Sequence, residues 1–346
     1  MKVIITGGAG FIGSNAAARQ LARGNEVVVL DNLSRRGAER NWSWLQGQHP
    51  GAVSGGGLTL ARADLRASEA VDAVFAAHAD AEVVLHLGGQ VAVTTSVVNP
   101  REDFEINALG TFNVLEAARR LPRLRALLYA STNKVYGGME DVGIVEHGGR
   151  YAYAALPQGV SETQQLDFHS PYGCSKGAAD QYTADYARIY GLPTVTLRQS
   201  CIYGPRQLGV EDQGWVAWFT IAAVTGKPVT IYGDGRQVRD LLFVDDLCEA
   251  YDAAVERMDR TSGQVFNLGG GPDNTLSLLE LVEHLDRLTG RPLRPAFAGW
   301  RPGDQPVFVA DVTRASEALG WRPRTGVTEG VEKLARWVQE NRALFG

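Results

Sequence analysis

The sequence predicts an α/β protein with a doubly wound parallel sheet and a smaller α/β lobe towards its C-terminal end. Over the first 200 residues, short apolar runs alternate with amphipathic helical patterns. Such runs are typical of parallel strands buried on both faces, and crossovers of one hand place helices on both sides of the sheet. From about residue 203 the alternation loosens into loops rich in glycine, proline and arginine. We therefore expect one large unit and one smaller lobe.

The individual elements follow from the spacing of the apolar residues. We predict main strands at 2–6, 26–30, 83–87, 126–131 and 194–199, and a further short strand before Asp64. Helical patterns lie at 12–23, 69–77, 107–120 and 171–190. Later loops at 203–207, 232–236 and 301–304 are accompanied by short helices at 276–289 and 328–341. We place the first domain at 1–200, with a segment near 238–271 returning to it, and the second lobe at 201–346.

The composition excludes several classes of partner. The chain has 346 residues, 45% of them hydrophobic, and a formal net charge of -5. Charges of both signs are mixed and no Lys/Arg block occurs, so we expect no nucleic-acid partner. No stretch approaches the roughly 18–20 apolar residues of a membrane span, so we expect no membrane partner.

Cysteine usage and the first residues predict a cytoplasmic location. Cys174, Cys201 and Cys248 are few, odd in number and without a CxxC pair. Such usage fits a reducing compartment, and we expect neither a disulfide framework nor a metal site. The strand at 2–6 starts at once, which leaves no room for a signal peptide.

A glycine-rich turn follows the first strand. Gly7, Gly10 and Gly13 belong to the motif GGAGFIG, in which a helix starts near Phe11 and Ile12. Without Cβ atoms the backbone can approach a pyrophosphate, and the helix N-terminus offers free N–H groups and a positive dipole end. The turn predicts a Rossmann-type dinucleotide-binding domain. A tight strand–helix turn without a ligand is the alternative.

Carboxylates at the ends of the next two strands specify the dinucleotide. Asp31 lies about 20 residues after the glycine turn, where a carboxylate holds the adenine ribose hydroxyls and repels a 2′-phosphate. We therefore expect NAD rather than NADP. Arg35 and Arg36 could pair with a phosphate, although solvated loop arginines are commoner. Asp64, followed by Leu65, is a candidate for the adenine edge, and a surface aspartate that caps the next helix is the alternative.

Tyr172 and Lys176 project from one face of a predicted helix, because they are spaced i, i+4. A free phenol has a pKa near 10 and is a poor base at pH 7. An ammonium at about 4 Å would contribute roughly 4 kcal/mol, which is comparable with lowering that pKa to about 7. Desolvation opposes the shift, so a positive nicotinamide ring has to help. With Ser131 and Thr132 at a nearby strand end, the pair predicts a catalytic base for a substrate hydroxyl. A chance pair on an amphipathic helix is the alternative.

These motifs resemble those of the extended short-chain dehydrogenase/reductase family, and within it the nucleotide-sugar epimerases and dehydratases. The resemblance covers essentially the full length. Its motifs are GGAGFIG at 7–13, Asp31-Asn32, HLGGQ at 86–90, Asn107, Ser131-Thr132, YxxxK at 172–176, YGPR at 203–206, Arg239-Asp240 and RPGD at 301–304. It implies an NAD-dependent enzyme that acts on a nucleotide sugar.

The resemblance also implies roles for single residues, with Thr132 on the reacting hydroxyl beside the catalytic Tyr172 and Lys176. Together with the spacing arguments, it gives the expected cofactor contacts Gly7, Gly10, Phe11, Ile12, Gly13, Asp31, Asn32, Asp64, Leu65, Leu87, Gln90, Asn107, Tyr172 and Lys176. The expected substrate contacts are Gln90, Thr132, Asn133, Lys134, Cys201, Arg206, Gln213, Tyr232, Arg239, Arg301 and Asp304. Arg239 and Arg301 would grip the diphosphate, for which guanidinium forks are suited, and surface ion pairing is the alternative.

Three stretches, at 131–137, 170–182 and 211–219, resemble the branch of the family that inverts carbon 2 of a CDP-linked hexose. The resemblance implies oxidation at carbon 2 with Tyr172 as base, rotation of the keto sugar and re-reduction from the other face. Asn133 and Lys134 stand where the sister dehydratases carry an Asp-Glu pair, which disfavours a 4,6-dehydratase. Cys201 in place of a common Asn, and Gly88-Gly89 in place of a common Ala-Ala, bear on the choice of sugar.

Other interpretations stay open. A 4-epimerase and a UDP-glucuronate decarboxylase of the same family share the cofactor turn and the Tyr/Lys pair. A non-catalytic NAD-binding regulator would not need Thr132, Tyr172 and Lys176 together, which speaks against it. Relatives are usually dimers or tetramers that pair through the helices at 107–120 and 171–190, so the resemblance implies a homodimer or homotetramer.

Overall fold

An all-parallel sheet of seven strands forms the centre of the protein. The computed structural model describes residues 1–301 and 303–345, so Pro302 of the RPGD motif and Gly346 of the second lobe lie outside the described residues. The strands are β1 (Lys2–Thr6), β2 (Glu26–Leu30), β3 (Leu58–Ala61), β4 (Val83–His86), β5 (Ala126–Thr132), β6 (Ile144–His147), β7 (Arg150–Tyr153), β8 (Thr194–Gln199), β9 (Cys201–Tyr203), β10 (Thr230–Tyr232), β11 (Val238–Phe243), β12 (Gln264–Leu268), β13 (Thr275–Ser277), β14 (Ala296–Ala298) and β15 (Val307–Phe308).

Helices cover both faces of the sheet and build much of the second lobe. They are α1 (Phe11–Ala22), α2 (Ala38–Gln48), α3 (Pro50–Ser54), α4 (Ser68–Ala77), α5 (Val93–Val98), α6 (Pro100–Phe104), α7 (Gly110–Ala118), α8 (Ser170–Tyr190), α9 (Trp215–Thr225), α10 (Val244–Glu256), α11 (Met258–Thr261), α12 (Leu278–Thr289), α13 (Thr313–Leu319) and α14 (Val327–Glu340). A π-helical turn covers Glu105–Leu109, and 3-10 turns cover Asn133–Tyr136 and Arg342–Phe345. Within the described residues no helix is both long and apolar enough to cross a membrane.

The central sheet has the strand order β12-β8-β5-β4-β1-β2-β3. Successive residues of β1 enter different cores. Val3 and Ile5 pack in a cluster with α1, α2 and α10, whereas Ile4 packs in a cluster with α4, α7 and α8. Since side chains alternate across a strand, both faces of the sheet are buried. The predicted α/β fold class is confirmed.

The chain returns to the central sheet from the second lobe. β12 pairs with β8 at the sheet edge, and α10 shares a core with α1. β11, by contrast, belongs to a separate sheet, where it pairs with β9, β13 and β15. The part of the 238–271 segment that joins the central sheet is therefore α10 to β12.

A hairpin of β6 and β7 connects the two parts of the molecule. It covers residues 144–153 and lies against the second lobe. The Tyr151 hydroxyl donates to Asp234 Oδ2 at 2.7 Å, and Arg150 pairs with Glu280 at 3.1 Å. The hairpin is thus a fastened connection and not a free loop.

Several elements differ from those predicted. The expected helix at 107–120 is a π-turn over 105–109 followed by α7, and the helices α2, α3, α5, α6, α9, α10, α11 and α13 were not predicted. α9 is apolar and buried on nearly all sides, so its sequence carries no polar stripe that would reveal a helical period. α10 begins directly at the end of β11, with no turn residue between them to mark a boundary.

A buried ion pair holds β8 and α8 together beside the end of β5. Asp180 accepts two hydrogen bonds from the Arg198 guanidinium, each at 3.0 Å, and one from the Ser131 hydroxyl at 2.6 Å. Both ionic side chains are almost fully buried, which is tolerated when such charges are paired and hydrogen-bonded. The strand end that carries Thr132 is therefore held against the helix that carries Tyr172.

Candidate active site

The glycine turn lies at the carboxyl end of β1. Gly7 adopts a positive φ of 64°, and α1 begins at Phe11 without a side-chain cap. A Cβ on Gly13 would lie 2.1 Å from the Gly7 carbonyl oxygen, and one on Gly7 would lie 2.7 Å from Gly88 Cα. The backbone segments therefore meet where no side chain fits, and the N-terminus of α1 stays open to an anion.

A cleft of about 350 Å³ runs along this turn and the carboxyl ends of the neighbouring strands. That volume lies in the range of small-molecule sites. The predicted cofactor residues that line it are Gly7, Gly10, Phe11, Ile12, Gly13, Asp31, Asn32, Asp64, Leu65, Leu87 and Gln90. Of the other predicted cofactor residues, Asn107 contacts the cleft residue Gln90 and Lys176 lies beside the cleft residue Gly89.

Asp31 is held in place by the backbone at the edge of the cleft. Its carboxylate accepts from the N–H groups of Ala9 at 3.0 Å and of Leu33 at 2.8 Å. Burial raises the pKa of Asp31, and these two hydrogen bonds oppose the rise. The side chain is thus an oriented acceptor next to the glycine turn.

Asp64 lies in the same wall and is ionised. It pairs with Arg66 at 2.8 Å and accepts from Asn32 Nδ2 at 3.0 Å. The Arg66 hydrogen bond is the main reason why the pKa of Asp64 falls to about 2. α4 starts after Ala67 with no side-chain cap, so the helix-capping alternative for Asp64 is wrong.

Besides Gln90, two predicted substrate residues lie in the wall of the cofactor cleft. Gln213 lines the cleft, and its Oε1 accepts from the Arg35 guanidinium. Arg206 also lines it, with its guanidinium 4.6 Å from the ring centre of Trp44 and 5.0 Å from that of Trp337. Arg35 is therefore not simply solvated, since it joins the loop after β2 to the second lobe.

α8 carries the Tyr/Lys pair in its first two turns. The side chains of Tyr172 and Lys176 are nearly buried, with exposures of 8% and 6%. The Tyr172 N–H donates to Ser96 Oγ at 3.1 Å. The Lys176 ammonium donates to the Ala130 carbonyl at 2.5 Å and lies 4.3 Å from the ring centre of Tyr129. These contacts anchor the start of α8 between α5 and the end of β5.

The absence of a side chain at Gly89 brings the cleft up to this pair. A Cβ at Gly89 would lie 2.8 Å from Asn107 Oδ1 and 3.9 Å from Lys176 Nζ. Asn107, in the π-turn, accepts from the Gln90 N–H at 2.9 Å and donates to Ser175 Oγ at 3.1 Å. π-turns inside helices are frequent at functional sites. The inner end of the cleft and the base of α8 are thus one continuous site.

Burial dominates the protonation of Tyr172. It raises the pKa of the phenol to about 12, while the Thr132 hydroxyl and Arg35 act in the opposite direction. The opposition by desolvation that the sequence predicts thus prevails among the chain's own residues, and the Lys176 ammonium is bonded to the Ala130 carbonyl. A further positive charge from a ligand has to supply the remaining shift, as the sequence argument also required.

Burial also disfavours the charged form of Lys176, and for an amine this lowers the pKa. Burial lowers the pKa of its ammonium to about 7, against the pull of the carboxylates of Asp180 and Asp103. The protonation of Lys176 near neutral pH therefore depends on the acidic side chains around it.

Asp103 of α6, which is 1% exposed, was not predicted as a site residue from the sequence. Its carboxylate accepts from Ser175 Oγ at 2.5 Å, Gln90 Nε2 at 3.1 Å and Asn107 Nδ2 at 3.2 Å. No motif in the sequence marks it. The one local signal is the helix start, where the Asn99 side chain caps α6, and this says nothing about the direction of Asp103.

Thr132, Asn133 and Lys134 lie where β5 passes into a 3-10 turn. Thr132 Oγ1 accepts from the Lys134 N–H at 3.3 Å and donates to Asn133 Oδ1 at 3.4 Å. The Lys134 ammonium donates to the Gly303 carbonyl at 3.2 Å and to Gln305 Oε1 at 3.4 Å. The end of β5 is thus tied to the second lobe.

Lys134, Arg239, Asp304 and Cys201 form one electrostatic neighbourhood. Burial lowers the pKa of Lys134 to about 8, and Arg239 adds to the fall while Asp304 opposes it. Burial also raises the pKa of the Cys201 thiol to about 12, so this thiol is neutral. Within residues 1–301 and 303–345, Arg239 donates only to the Val238 carbonyl and forms no salt bridge. Its guanidinium is therefore available to an anion.

Arg301 has partners of its own, unlike Arg239. It lies 3.7 Å from the ring centre of Tyr232 and pairs with Asp212 at 3.0 Å. The Tyr232 hydroxyl donates to Glu211 Oε1 at 3.4 Å. The ion-pair alternative thus describes Arg301 in this structure, whereas Arg239 forms no salt bridge with any residue of 1–301 and 303–345.

The parallel sheet, the glycine turn at its carboxyl edge and the Tyr/Lys pair beside it define a dinucleotide-dependent enzyme of the short-chain dehydrogenase/reductase type. The sequence model of the NAD dependent epimerase/dehydratase family matches residues 3–269, and the chain belongs to this family. The expectations of family membership and of NAD as the cofactor are confirmed.

Relatives match over nearly the whole chain. A CDP-paratose 2-epimerase from Salmonella typhi is 45% identical over 342 residues, which cover 97% of this chain and 99% of that protein. The crystal structure of a UDP-glucose 4-epimerase with UDP-glucose from Thermotoga maritima has a TM-score of 0.84 at 30% identity and covers 99% of this chain and 100% of that one. A Thermus thermophilus UDP-glucose 4-epimerase in complex with NAD has a TM-score of 0.79 at 34% identity, with coverages of 97% and 98%.

We predict that Gly13→Ala weakens NAD binding at least about tenfold, or roughly 1.4 kcal/mol, because its Cβ would meet the Gly7 carbonyl oxygen and displace the turn. Calorimetric titration of nucleotide-stripped protein with NAD measures the effect. Gly47→Ala is the control, since a Cβ there has no neighbour within 4 Å. Equal NAD affinity of the Gly13 variant and the wild type would contradict a role of this turn in binding.

Proposed function

We propose that this protein is an NAD-dependent 2-epimerase of a CDP-linked hexose, which interconverts CDP-paratose and CDP-tyvelose by inverting carbon 2. The observation that carries the proposal is the 45% identity to a CDP-paratose 2-epimerase over nearly the full length of both proteins. The site agrees with it, because a nearly buried tyrosine and lysine lie in the first turns of α8, and Arg239, which forms no salt bridge within the described residues, lies near Lys134 at the end of β5.

In this proposal residues 1–200, with the segment α10 to β12, hold NAD, and most of 201–346 holds the sugar nucleotide. The glycine turn and the N-terminus of α1 would hold the pyrophosphate. Asp31 and Asn32 would take the adenosine ribose, Asp64 and Leu65 the adenine edge, and Lys176 the nicotinamide ribose. Bound NAD supplies first the acceptor and then the donor of the hydride at carbon 2.

Tyr172 would carry the proton in both directions. As the phenolate it would remove the proton of the carbon-2 hydroxyl, and as the phenol it would return a proton to the oxygen after the sugar has turned. Thr132 would hold the reacting oxygen, because its hydroxyl acts on Tyr172 from the end of β5. The Lys176 ammonium would favour the phenolate form through its charge.

The cations at the lobe junction support epimerisation over dehydration. Removal of water needs an acid and a base near the sugar, and Asn133 and Lys134 provide no carboxyl group there. Arg239 is free to bind one face of a diphosphate, for which a guanidinium is suited. An anchored diphosphate would allow the keto sugar to turn without leaving the site.

A 4-epimerase is the second candidate, favoured by the likeness to solved UDP-glucose 4-epimerases. A UDP-glucuronate decarboxylase would use the same cofactor turn and Tyr/Lys pair. A non-catalytic NAD-binding regulator is disfavoured, because a nearly buried tyrosine and lysine at the cleft are costly to keep without chemistry.

The test is proton NMR of the purified protein with NAD+ and, in turn, CDP-paratose, UDP-glucose and UDP-glucuronate in deuterated water. We expect only the CDP sugar to react, by inversion at carbon 2 and without deuterium at that carbon, since a hydride never exchanges with solvent. Inversion at carbon 4 or loss of carbon dioxide would assign a sister activity. Deuterium at carbon 2 would overturn the hydride route, and no turnover on any of the three would favour the regulator.

We expect Tyr172→Phe to lower kcat about 100-fold or more, because general acid–base catalysis contributes at least this much and phenylalanine cannot carry the proton. Binding of NAD, measured by calorimetry, should change little. Tyr182→Phe, which removes an exposed hydroxyl from the same helix, is the matched control. Wild-type turnover in the Tyr172 variant would remove this residue from the reaction.

We propose in addition that the protein is a cytoplasmic homodimer. The cytoplasmic location rests on the cysteines, all of which are free. The dimer rests on a face of α5 to α8 and the π-turn that exposes the large apolar side chains Val97, Val98, Phe104, Leu109, Phe112, Tyr182, Ile189 and Tyr190. The rings of Phe112 in α7 and Tyr182 in α8 meet edge to face, with their centres 6.0 Å apart, so this face spans two neighbouring helices. A two-fold axis through such a face would bury the face of one copy against the same face of the other.

We expect the double change Phe112→Glu and Tyr182→Glu to convert the dimer to a monomer, because it would bury four carboxylates at a two-fold interface. Light scattering after size exclusion gives the mass directly. Val53→Glu, a charge placed on the exposed helix α3, should leave the mass unchanged. A wild-type protein with the mass of one chain, 37.4 kDa, would contradict the proposal.

A further inference from the structure

Asp103 is a buried carboxylate without an ionic partner. It is 1% exposed, and in the described part of the chain it forms no salt bridge. Three neutral groups donate to it, namely Ser175 Oγ, Gln90 Nε2 and Asn107 Nδ2. A buried carboxylate is costly unless hydrogen bonds and a nearby cation offset the loss of water. The three donors provide the hydrogen bonds, and a neighbouring side chain provides the cation.

Lys176 is a cation beside this cluster, because it follows Ser175, which donates to Asp103, in α8. A Cβ at Gly89 would lie 2.8 Å from Asn107 Oδ1 and 3.9 Å from Lys176 Nζ, and the Lys176 charge lowers the pKa of Asp103. Lys176 is nearly buried as well, and its hydrogen bond goes to the uncharged Ala130 carbonyl. Asp180, the other carboxylate that acts on Lys176, is already paired twice with Arg198 at 3.0 Å. Of the two carboxylates, Asp103 therefore carries the charge that no arginine offsets.

Other titratable groups face this pair from the surrounding elements, and none replaces Asp103. His86 of β4 is fully buried between Thr6 and Thr111, and burial lowers its pKa to about 3, so it stays neutral. Burial raises the pKa of Tyr129 of β5 well above its ordinary value, so this phenol is neutral too.

Two further groups complete the surroundings. Arg35, which lines the cleft, acts on Tyr172, and Tyr172 itself is neutral at pH 7 because burial raises its pKa to about 12. The carboxylates next in sequence to Asp103 point elsewhere, since Glu102 approaches Arg66 at 3.9 Å and Glu105 approaches Arg101 at 3.4 Å.

We propose that Asp103 is a positioning residue whose carboxylate is the counter-charge that keeps Lys176 protonated in the buried site. Through Gln90 and Asn107 the same carboxylate fixes the inner wall of the NAD cleft. This inference deepens the proposed function, on which only its kinetic test depends.

The sign of the effect follows from the direction of each interaction. The charge of Asp103 raises the pKa of Lys176 and also raises the pKa of Tyr172. Asp103→Asn keeps the size of the side chain and removes the charge, so the pKa values of both groups should fall. A purely structural role would lower activity without moving either titration.

The direct test is NMR of the NAD-loaded protein with ¹³C-labelled lysine. The lysines are only Lys2, Lys134, Lys176, Lys227 and Lys333, so the signals are few. Loss of one signal in Lys176→Met assigns it. We expect the Lys176 titration in Asp103→Asn to move about one pH unit towards acid, the size of a nearby-charge effect. Glu105→Gln, which removes a nearby carboxylate that approaches Arg101 at 3.4 Å, should leave the Lys176 midpoint within a few tenths of a unit.

The kinetic test is the pH profile of kcat/KM for the CDP sugar. The limb that reports deprotonation of Lys176 should move towards acid in Asp103→Asn and stay in place in Glu105→Gln. An unmoved Lys176 titration overturns the inference even if the wild type converts the CDP sugar. A moved titration supports it even if the sugar assignment fails, so the two failures are distinguishable.

A measurement on the wild type keeps the inference testable if Asp103→Asn does not fold. Burial raises the pKa of Asp103, and the inference requires that this carboxylate is ionised at neutral pH. ¹³C labelling of the aspartate carboxyl carbons shows its state. An ionised Asp103 through pH 6–9 supports the inference, and a protonated Asp103 at pH 7 overturns it.

Discussion

Burial of the Lys176 ammonium is the interaction on which the rest of the site depends. The amine lies between the Ala130 carbonyl and the Tyr129 ring, out of water, and this burial lowers its pKa to about 7 even though the carboxylates of Asp180 and Asp103 raise it. The Asp103 carboxylate of α6 opposes this loss of hydration. The π-turn directs Asn107 Nδ2 to the same carboxylate. The cofactor cleft reaches the amine only because position 89 has no side chain.

The parallel sheet explains why these groups meet. All seven strands end at one edge, so Thr6, His86 and Thr132, which are far apart in sequence, lie in neighbouring strand ends. The buried pair of Asp180 and Arg198 fixes α8 on this edge. A change deep in the sheet would therefore disturb the distance between the strand end and the catalytic helix.

The second lobe completes the site with cations. Lys134 reaches it from the end of β5, and Arg239 projects from a strand that is supported by the β6–β7 hairpin, so neither cation depends on a free loop. Because Arg301 is paired with Asp212 and Arg239 is not, the two arginines of the sequence motifs differ in what they offer an anion. No spacing rule in the sequence distinguishes them.

The sequence by itself determined the fold class and the positions of the main strands along the chain. It also determined the glycine turn, the acidic residue after β2 and the i, i+4 pair of Tyr172 and Lys176. Each of these rests on local periodicity or on a short motif. It could not reveal α9, which is apolar all round, or the π-turn at 105–109. Only the tertiary structure decided that Asp103 accepts hydrogen bonds from Ser175, Gln90 and Asn107, that Gln213 and Arg206 line the cofactor cleft, and that burial raises the pKa of Tyr172. These outcomes depend on desolvation and on contacts between distant segments, and neither is encoded in the spacing of neighbouring residues.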